Sequence, residues 1–293
     1  MVAVRHFALL LVLVPIALLP SNGRAGPQGE EPVKRPSQSL FAQSATEALK
    51  RDFPSRHISF LLLDARSGDV LASRWDHPDS PIPTGSLVKP FTALAYGEQH
   101  DFQYPAHTCR GTATGCWLPR GHGEISLTSA IAYSCNSYFR MLTANLTGAD
   151  VAPIAARFGF ESPDRDDSGP VLAGIGSRWQ TSPIRMARAY LELIRRREQP
   201  GVREVLAGMA LSARHGTGAA VDRALPFPDA LVKTGTALCT HATRAAGDGF
   251  AVVLTPADQP QILLMVRVHG VPGAQAAKIA GQMLRRIEGR FKE

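Results

Sequence analysis

The chain has 293 residues, a formal net charge of +7 and 44% hydrophobic residues, while charged residues make up 19%. This balance is typical of a globular protein with a hydrophobic core and excludes a disordered chain. The basic residues are scattered and do not alternate with aromatic residues along one stripe, which argues against a nucleic-acid-binding protein. The length fits one large domain or two lobes that share a site.

Residues 1–25 have the organisation of a secretory signal peptide. Arg5 precedes an apolar run over residues 7–19, and small residues lead to a cleavage position after Ala25. The apolar run is shorter than the ~20 residues that cross a bilayer. We therefore expect an exported protein, in the periplasm or at the outer face of the cytoplasmic membrane, attached to the membrane only if the leader stays uncleaved.

The N-terminal part of the chain is predicted to hold a helix, a β-hairpin and a second helix. Residues 26–38, rich in Gly, Pro, Glu and Lys, are predicted to be a flexible linker before one domain over residues 39–293. Apolar periodicity and a Ser-Gly turn between two apolar runs indicate the elements that follow. In chain order these are a helix over 40–53, strands over 57–63 and 70–75, a proline-rich loop over 78–85 and a helix that starts at Ser86.

The middle of the chain is predicted to be helical, after an irregular segment over residues 101–124, and the C-terminal part returns to strands. In chain order the elements are helices over 126–158, 182–197 and 201–213, strands over 230–238, 250–255 and 262–268, and a helix over 273–290. Strands from both ends of the chain with helices between them indicate an α/β (α+β) fold. We expect an antiparallel five-stranded sheet flanked by helices, an inserted all-helical lobe, and a site in the cleft between them.

Ser86 and Lys89 form a Ser-x-x-Lys motif, which on a helix places a hydroxyl and an amine on one side, one turn apart. A serine hydroxyl is a weak nucleophile until a base takes its proton. A lysine is such a base only when burial or a nearby cation keeps its amine neutral. The motif alone is common by chance, since a capping serine and a solvated lysine give the same spacing, so its meaning depends on what accompanies it.

Two further motifs follow in order. Ser134 and Asn136 place a hydroxyl and an amide two residues apart in the helical middle, and Lys233-Thr234-Gly235-Thr236 lies on a predicted strand. The three motifs together resemble those of the active-site-serine penicillin-recognising enzymes, which include the transpeptidase domains of penicillin-binding proteins.

The resemblance covers residues 40–290, and several segments outside the motifs are also similar. These segments are 83–90, 121–123, 134–139, 173–176 and 186–190. They are most similar to elongation-type monofunctional members, which implies a β-lactamase/transpeptidase-like fold. Such members carry a long N-terminal pedestal; only about 60 residues separate the predicted cleavage position from Ser86, so we expect this pedestal to be missing.

The resemblance implies five catalytic residues. Ser86 would attack the carbonyl of a peptide that ends in D-Ala-D-Ala, and Lys89 would accept its proton, helped by the positive charge of Lys233. Ser134 would relay a proton to the leaving amine, and Asn136 would hold the amide of the substrate.

The resemblance also implies substrate-binding residues on the predicted strand. Thr234 and Thr236 would bind the terminal carboxylate together with Lys233, and Gly235 would let the substrate backbone lie against the strand. The backbone N–H groups of Ser86 and Thr236 would form an oxyanion hole. No cofactor is expected to take part in catalysis.

The fate of the acyl-enzyme separates the remaining alternatives. One group of serine β-lactamases activates water with a glutamate that has an asparagine four residues on; here Glu161 is followed by Arg165. The class D-like group has Ser-x-Val and Tyr-Gly-Asn motifs, and this sequence has Ser-x-Asn and no Tyr-Gly-Asn. We therefore favour a D,D-transpeptidase that acts on peptidoglycan peptides and is acylated by penicillins, with other cell-wall synthesis proteins as partners. A β-lactamase, a D,D-carboxypeptidase and a non-enzymatic penicillin-binding module are the alternatives.

Three of the four cysteines, Cys109, Cys116 and Cys135, lie close in sequence to His122. Three thiolates and one imidazole can form a closed tetrahedral zinc site. The resemblance supports a structural zinc, because some elongation-type members carry a metal in this region. A Cys109–Cys116 disulfide, favoured by export, and free thiols are the alternatives. Cys239 follows the third motif, and pairings that involve it stay open.

Overall fold

The computed structural model describes residues 36–239 and 247–288. The predicted leader, residues 1–25, and most of the predicted linker lie outside these ranges. Nine helices of this part are numbered in chain order. They are α1 Pro36–Asp52, α2 Lys89–Gln99, α3 Leu127–Ala132, α4 Asn136–Leu142, α5 Gly148–Phe158, α6 Pro183–Arg195, α7 Val202–His215, α8 Ala220–Ala224 and α9 Gly273–Glu288.

Strands over the same residues form one large sheet and two small ones. They are β1 Ile58–Asp64, β2 Val70–Arg74, β3 Ile82–Pro83, β4 His107–Cys109, β5 Gly123–Ile125, β6 Gln180–Thr181, β7 Leu231–Ala237, β8 Asp248–Thr255 and β9 Ile262–His269. The large sheet has the order β2-β1-β9-β8-β7 and is antiparallel throughout. The predicted five-stranded sheet is thus confirmed, and β7 lies at its edge.

The sheet is buried on both faces because its strands carry apolar residues on both. In β1, Phe60 and Leu62 face a cluster that includes residues of α1, α8 and α9. Leu61 and Leu63 face the opposite cluster, which joins the sheet to the helical lobe. This alternation follows from the period of two along a strand. The sheet therefore forms the middle layer of the fold. Helices α1, α8 and α9 lie on one face, and the helical lobe lies on the other.

The chain enters α2 later than the sequence predicts. Ser86 lies in a 3-10 turn over Gly85–Val88, and the α-helix begins at Lys89. An α-helix from Ser86 would need a hydrogen bond from the backbone of residue 90 to the Ser86 carbonyl, and Pro90 has no N–H to donate. Lys89 instead donates its backbone N–H to that carbonyl, which makes the turn one residue tighter than an α-helical turn.

The helix predicted over residues 126–158 is in fact three helices, α3, α4 and α5. The first break holds Ser134, whose φ is +51°, outside the helical region. The second break ends at Thr147, which caps α5: its hydroxyl and backbone N–H both lie 2.7 Å from the Asp150 carboxylate. The Thr-x-x-Asp spacing was a readable capping signal.

The other boundaries differ by a few residues. α1 begins at Pro36, so residues 36–38, assigned to the linker, belong to a helix; proline is well tolerated in a first helical turn. The sequence patterns missed the two small sheets and α8, which are too short to show a period. Within the described ranges, no helix combines the length and the apolar character that a membrane span requires.

Candidate active site

The turn that carries Ser86 is pressed against the edge strand β7. Gly85 has a φ of +59°, and a Cβ added to it would lie 2.3 Å from the carbonyl oxygen of Thr236. A Cβ added to Gly235 would lie 2.6 Å from the carbonyl oxygen of Thr84. Both distances are too short for any side chain, so glycine at these positions lets the two backbones approach. The serine is thereby fixed beside the strand that carries the third motif.

This geometry gives a further reason for the glycine in Lys-Thr-Gly. Gly235 is predicted to clear space for a substrate backbone, and a Cβ added to it would also meet the Ser86 turn. Gly235 also lines the neighbouring cavity. The absence of a side chain at Gly235 therefore also sets the position of Ser86 beside β7.

Lys89 is completely buried, and its amine lies among three oxygen atoms. The Nζ atom is 2.8 Å from Ser86 Oγ, 2.5 Å from Asn136 Oδ1 and 3.4 Å from the Ser134 carbonyl oxygen. Burial lowers the pKa of Lys89 to about 7. Burial is the main cause of this lowered pKa, whereas the sequence had predicted a contribution from the charge of Lys233. The amine is thus partly neutral near pH 7 and within reach of the Ser86 proton.

Lys233 is the second buried amine of the site. Its Nζ donates to Ser134 Oγ at 3.0 Å and to the Thr234 carbonyl oxygen at 2.6 Å. Burial, and then the charge of Lys89, holds its pKa well below the usual lysine value. Ser134 therefore touches both lysines, Lys233 through its hydroxyl and Lys89 through its carbonyl.

Ser134 reaches both amines because its backbone is in the left-handed region, which is unusual for a residue other than glycine. The indole N–H of Trp117 donates to the carbonyl oxygens of Tyr133 and Ser134, at 3.2 Å each. These contacts help to hold the turn between α3 and α4. A strained residue held at a polar cluster is a common feature of active sites.

The three motifs border one cavity of about 300 Å³. Of the residues predicted from the motifs, it is lined by Ser86, Ser134, Asn136, Thr234, Gly235 and Thr236. Lys89 and Lys233 lie behind this lining, where their amines contact Ser86 and Ser134. The structure therefore brings the predicted catalytic and substrate-binding residues together at one place.

Sequence reasoning missed two polar or aromatic residues of the lining. Thr217 lies in the cavity with its Oγ1 2.6 Å from Thr234 Oγ1. The sequence marks Thr217 only by its place between Gly216 and Gly218, ahead of the third motif, and that pattern is weak evidence by itself. Trp117, half exposed, also lines the cavity, and its position in the cysteine-rich segment gave no signal.

No carboxylate lines the cavity in the part of the chain that the structure describes. Glu161, the nearest counterpart of a β-lactamase base, is engaged at the start of α6. Its two oxygens accept hydrogen bonds from Ser182, one from the backbone N–H at 2.9 Å and one from the hydroxyl at 2.8 Å. Glu161 is therefore bound to Ser182, the residue before α6, and is absent from the cavity lining.

The cysteine cluster lies directly behind the second motif. The donor atoms of Cys109, Cys116, His122 and Cys135 all lie within 4.8 Å of one another. The three cysteines of this cluster are free thiols, which disagrees with a Cys109–Cys116 disulfide. His122 Nδ1 is 3.5 Å from Cys109 Sγ and 3.6 Å from Cys116 Sγ, and the Sγ atoms of Cys116 and Cys135 are 3.8 Å apart. Zinc bonds of about 2.3 Å to sulfur and about 2.1 Å to nitrogen give tetrahedral edges of about 3.8 Å and about 3.6 Å. The four residues fit a zinc ion.

Comparison with known families gives one match that spans most of the chain. A family model described as the penicillin-binding protein transpeptidase domain matches residues 58–288. A comparison of the sequence with curated proteins gives no match.

Solved structures of low sequence identity share the fold. Pseudomonas aeruginosa PBP2, in complex with WCK 5153, is 20% identical with a TM-score of 0.67, over 87% of this chain and 74% of that one. Helicobacter pylori PBP2, in complex with MreC, is 15% identical with a TM-score of 0.73, over 86% of this chain and 63% of that one. The transpeptidase domain of Burkholderia pseudomallei penicillin-binding protein 3 is 16% identical with a TM-score of 0.64, over 88% and 94%. The likeness confirms the predicted fold class, and this chain spans less than two thirds of the Helicobacter chain.

The close approach of Gly235 to the Ser86 turn can be tested by Gly235→Ala. The added Cβ meets backbone atoms that cannot move independently, so we expect the free energy of unfolding to fall by about 1–3 kcal/mol. Urea unfolding followed by circular dichroism measures the change. A variant as stable as the wild type would contradict the packing described.

Proposed function

The chain belongs to the penicillin-binding protein transpeptidase domain family, and on this premise we propose that it is a D,D-transpeptidase that forms an acyl-enzyme at Ser86. The observation that carries the proposal is the 2.8 Å contact between the buried Lys89 amine and Ser86 Oγ. The substrate class is peptidoglycan stem peptides that end in D-Ala-D-Ala, with penicillins as acylating analogues.

Acylation begins with transfer of the Ser86 proton to Lys89. Burial favours the neutral amine, so Lys89 is a base of suitable strength near pH 7. Ser86 Oγ then bonds to the carbonyl carbon of the substrate, and the carbonyl oxygen becomes negatively charged. The backbone N–H groups of Ser86 and Thr236, both residues of the cavity lining, are the proposed oxyanion donors, each worth about 3–4 kcal/mol of barrier.

Departure of the leaving amine requires a proton. Ser134 is the proposed relay, because its hydroxyl lies 3.0 Å from the Lys233 amine. The contact between its carbonyl oxygen and Lys89, at 3.4 Å, holds the Ser134 turn beside the proposed base. Asn136 both accepts from Lys89 and lines the cavity, so it can position the base and bind the substrate amide. Thr234, its partner Thr217 and Thr236 offer hydroxyls to the terminal carboxylate.

Transfer of the acyl group to an amine is favoured over hydrolysis. A fast β-lactamase needs a general base aimed at the water that attacks the acyl-enzyme. The described lining of the cavity contains no carboxylate, and Glu161 is bound to Ser182 ahead of α6. A slowly hydrolysed acyl-enzyme is the expected result.

We also propose that Cys109, Cys116, His122 and Cys135 hold a structural zinc. The match of their separations to a zinc tetrahedron supports this. The ion would tie β4 and the turn after it to Cys135, the residue between Ser134 and Asn136. We further propose that the protein is exported and works with other cell-wall synthesis proteins, as suits a peptidoglycan substrate.

A fluorescent penicillin tests the acyl-enzyme. We expect stable labelling of the wild type, lost in Ser86→Ala, with the adduct mapped to Ser86 by mass spectrometry. Ser80→Ala, which replaces an exposed serine outside the cavity lining, is the matched control and should label normally. Rapid loss of the label would instead indicate a β-lactamase, and equal labelling of Ser86→Ala would refute the mechanism.

The pH dependence of labelling tests the base. Only the neutral amine of Lys89 accepts a proton, so the acylation rate should rise with pH and reach half its maximum near pH 7. Stopped-flow fluorescence measures the rate on either side of that pH. A rate that falls as the pH rises, in a protein that stays folded, would exclude a neutral lysine base.

The cysteine cluster is tested by metal analysis of the full chain after dialysis against zinc. We expect His122→Ala to bind one equivalent less zinc than the wild type and to unfold at a lower temperature. His100→Ala, which removes an exposed histidine, should retain the wild-type content. Equal zinc in the wild type and His122→Ala, or a Cys109–Cys116 disulfide found by peptide mapping, would count against the site.

A further inference from the structure

A second group of metal-binding side chains lies at the end of the sheet beside the cavity. Cys239 follows β7, Asp248 is the first residue of β8 and His269 is the last residue of β9. Their side-chain donor atoms all lie within 4.8 Å of one another. The register explains the meeting, since Asp248 pairs with His269 across one ladder and with Ala237 across the other. Paired residues of neighbouring strands direct their side chains to the same face.

The nitrogen of His269 faces both other donors. Its Nδ1 atom is 2.8 Å from Asp248 Oδ1 and 3.5 Å from Cys239 Sγ. The 3.5 Å separation is close to the nitrogen–sulfur edge of a zinc tetrahedron, about 3.6 Å. The 2.8 Å separation is that of a hydrogen bond, whereas the nitrogen–oxygen edge of a zinc tetrahedron is about 3.4 Å. When an ion takes the place of the hydrogen, the carboxylate oxygen must therefore move away by several tenths of an ångström.

The surroundings suit a divalent ion. The side chains of Asp248 and His269 are only 6% and 18% exposed, and the ring of His57 stacks on that of His269. One thiolate and one carboxylate neutralise a charge of +2, so an ion here needs no other countercharge. Binding releases the thiol proton, and the hydrogen of Nδ1 moves to Nε2. Sulfur and imidazole donors favour zinc over magnesium or calcium.

We propose that Cys239, Asp248 and His269 form a second zinc site, separate from the cysteine cluster behind Ser134. Three protein donors and one further ligand complete a tetrahedron. The ion joins the ends of three strands at the rim of the cavity, because Ala237 and Leu238, which precede Cys239, line that cavity. The proposal rests on these contacts and is independent of the proposed reaction.

Metal analysis of the full chain after dialysis against zinc tests the site. We expect Cys239→Ala and His269→Ala each to bind one equivalent less zinc than the wild type, whatever the total zinc content of the wild type. His77→Ala, which removes an exposed histidine outside the group, should retain the wild-type content. Cys239 is partly exposed, so its replacement by alanine is the variant least expected to disturb folding.

Cobalt(II) provides a second readout, because a coordinating thiolate gives a charge-transfer absorption. We expect this absorption to be weaker in Cys239→Ala than in the wild type, and adding more cobalt should not restore it. Penicillin labelling of Cys239→Ala should persist, which separates failure of this proposal from failure of the acyl-enzyme. Wild-type zinc content in Cys239→Ala and His269→Ala, or an equal loss in His77→Ala, would overturn the proposal.

Discussion

The site depends on the burial of two lysine amines beside two serines. Burying a charged amine away from solvent costs several kcal/mol unless a countercharge or hydrogen bonds compensate. The cost falls when the amine loses its proton, so burial lowers its pKa. Lys89 and Lys233 are both fully buried, and each lies within hydrogen-bonding distance of a serine hydroxyl. The same burial that makes these lysines costly to the fold also suits Lys89 to its proposed role as a base. The proposed chemistry and the local destabilisation thus have one cause.

Burial of the amines in turn requires backbones to approach closely on every side. The Ser86 turn fits against β7 only because Gly85 and Gly235 have no side chains. The Ser134 turn covers the amines only in the left-handed region, with its carbonyl bound by Trp117. The layers of sheet and helices enclose the two amines, and these few irregular residues set the positions of the Ser86 and Ser134 hydroxyls.

The sequence was sufficient for the sheet and for the motif residues, and insufficient for the irregular parts. Strand alternation and motif order identified β7 and the residues around Ser86, because both depend on local pattern. Thr217 could not be found, since its contact with Thr234 is made by a segment with no period. The turn at Ser134 was also missed, because an apolar period across residues 126–158 conceals a residue whose φ is positive.

The position of Cys135 links the cysteine cluster to the chemistry. It stands between Ser134 and Asn136, yet its Sγ lies 3.8 Å from that of Cys116 while its neighbours line the cavity. A side chain anchored on the far side of this turn limits the backbone torsions of the residues before and after it. Such an anchor resists relaxation of the strained Ser134 backbone, which would otherwise move the hydroxyl away from Lys233. A structural ion at the cluster would therefore act on the reaction through backbone geometry alone, without touching the substrate.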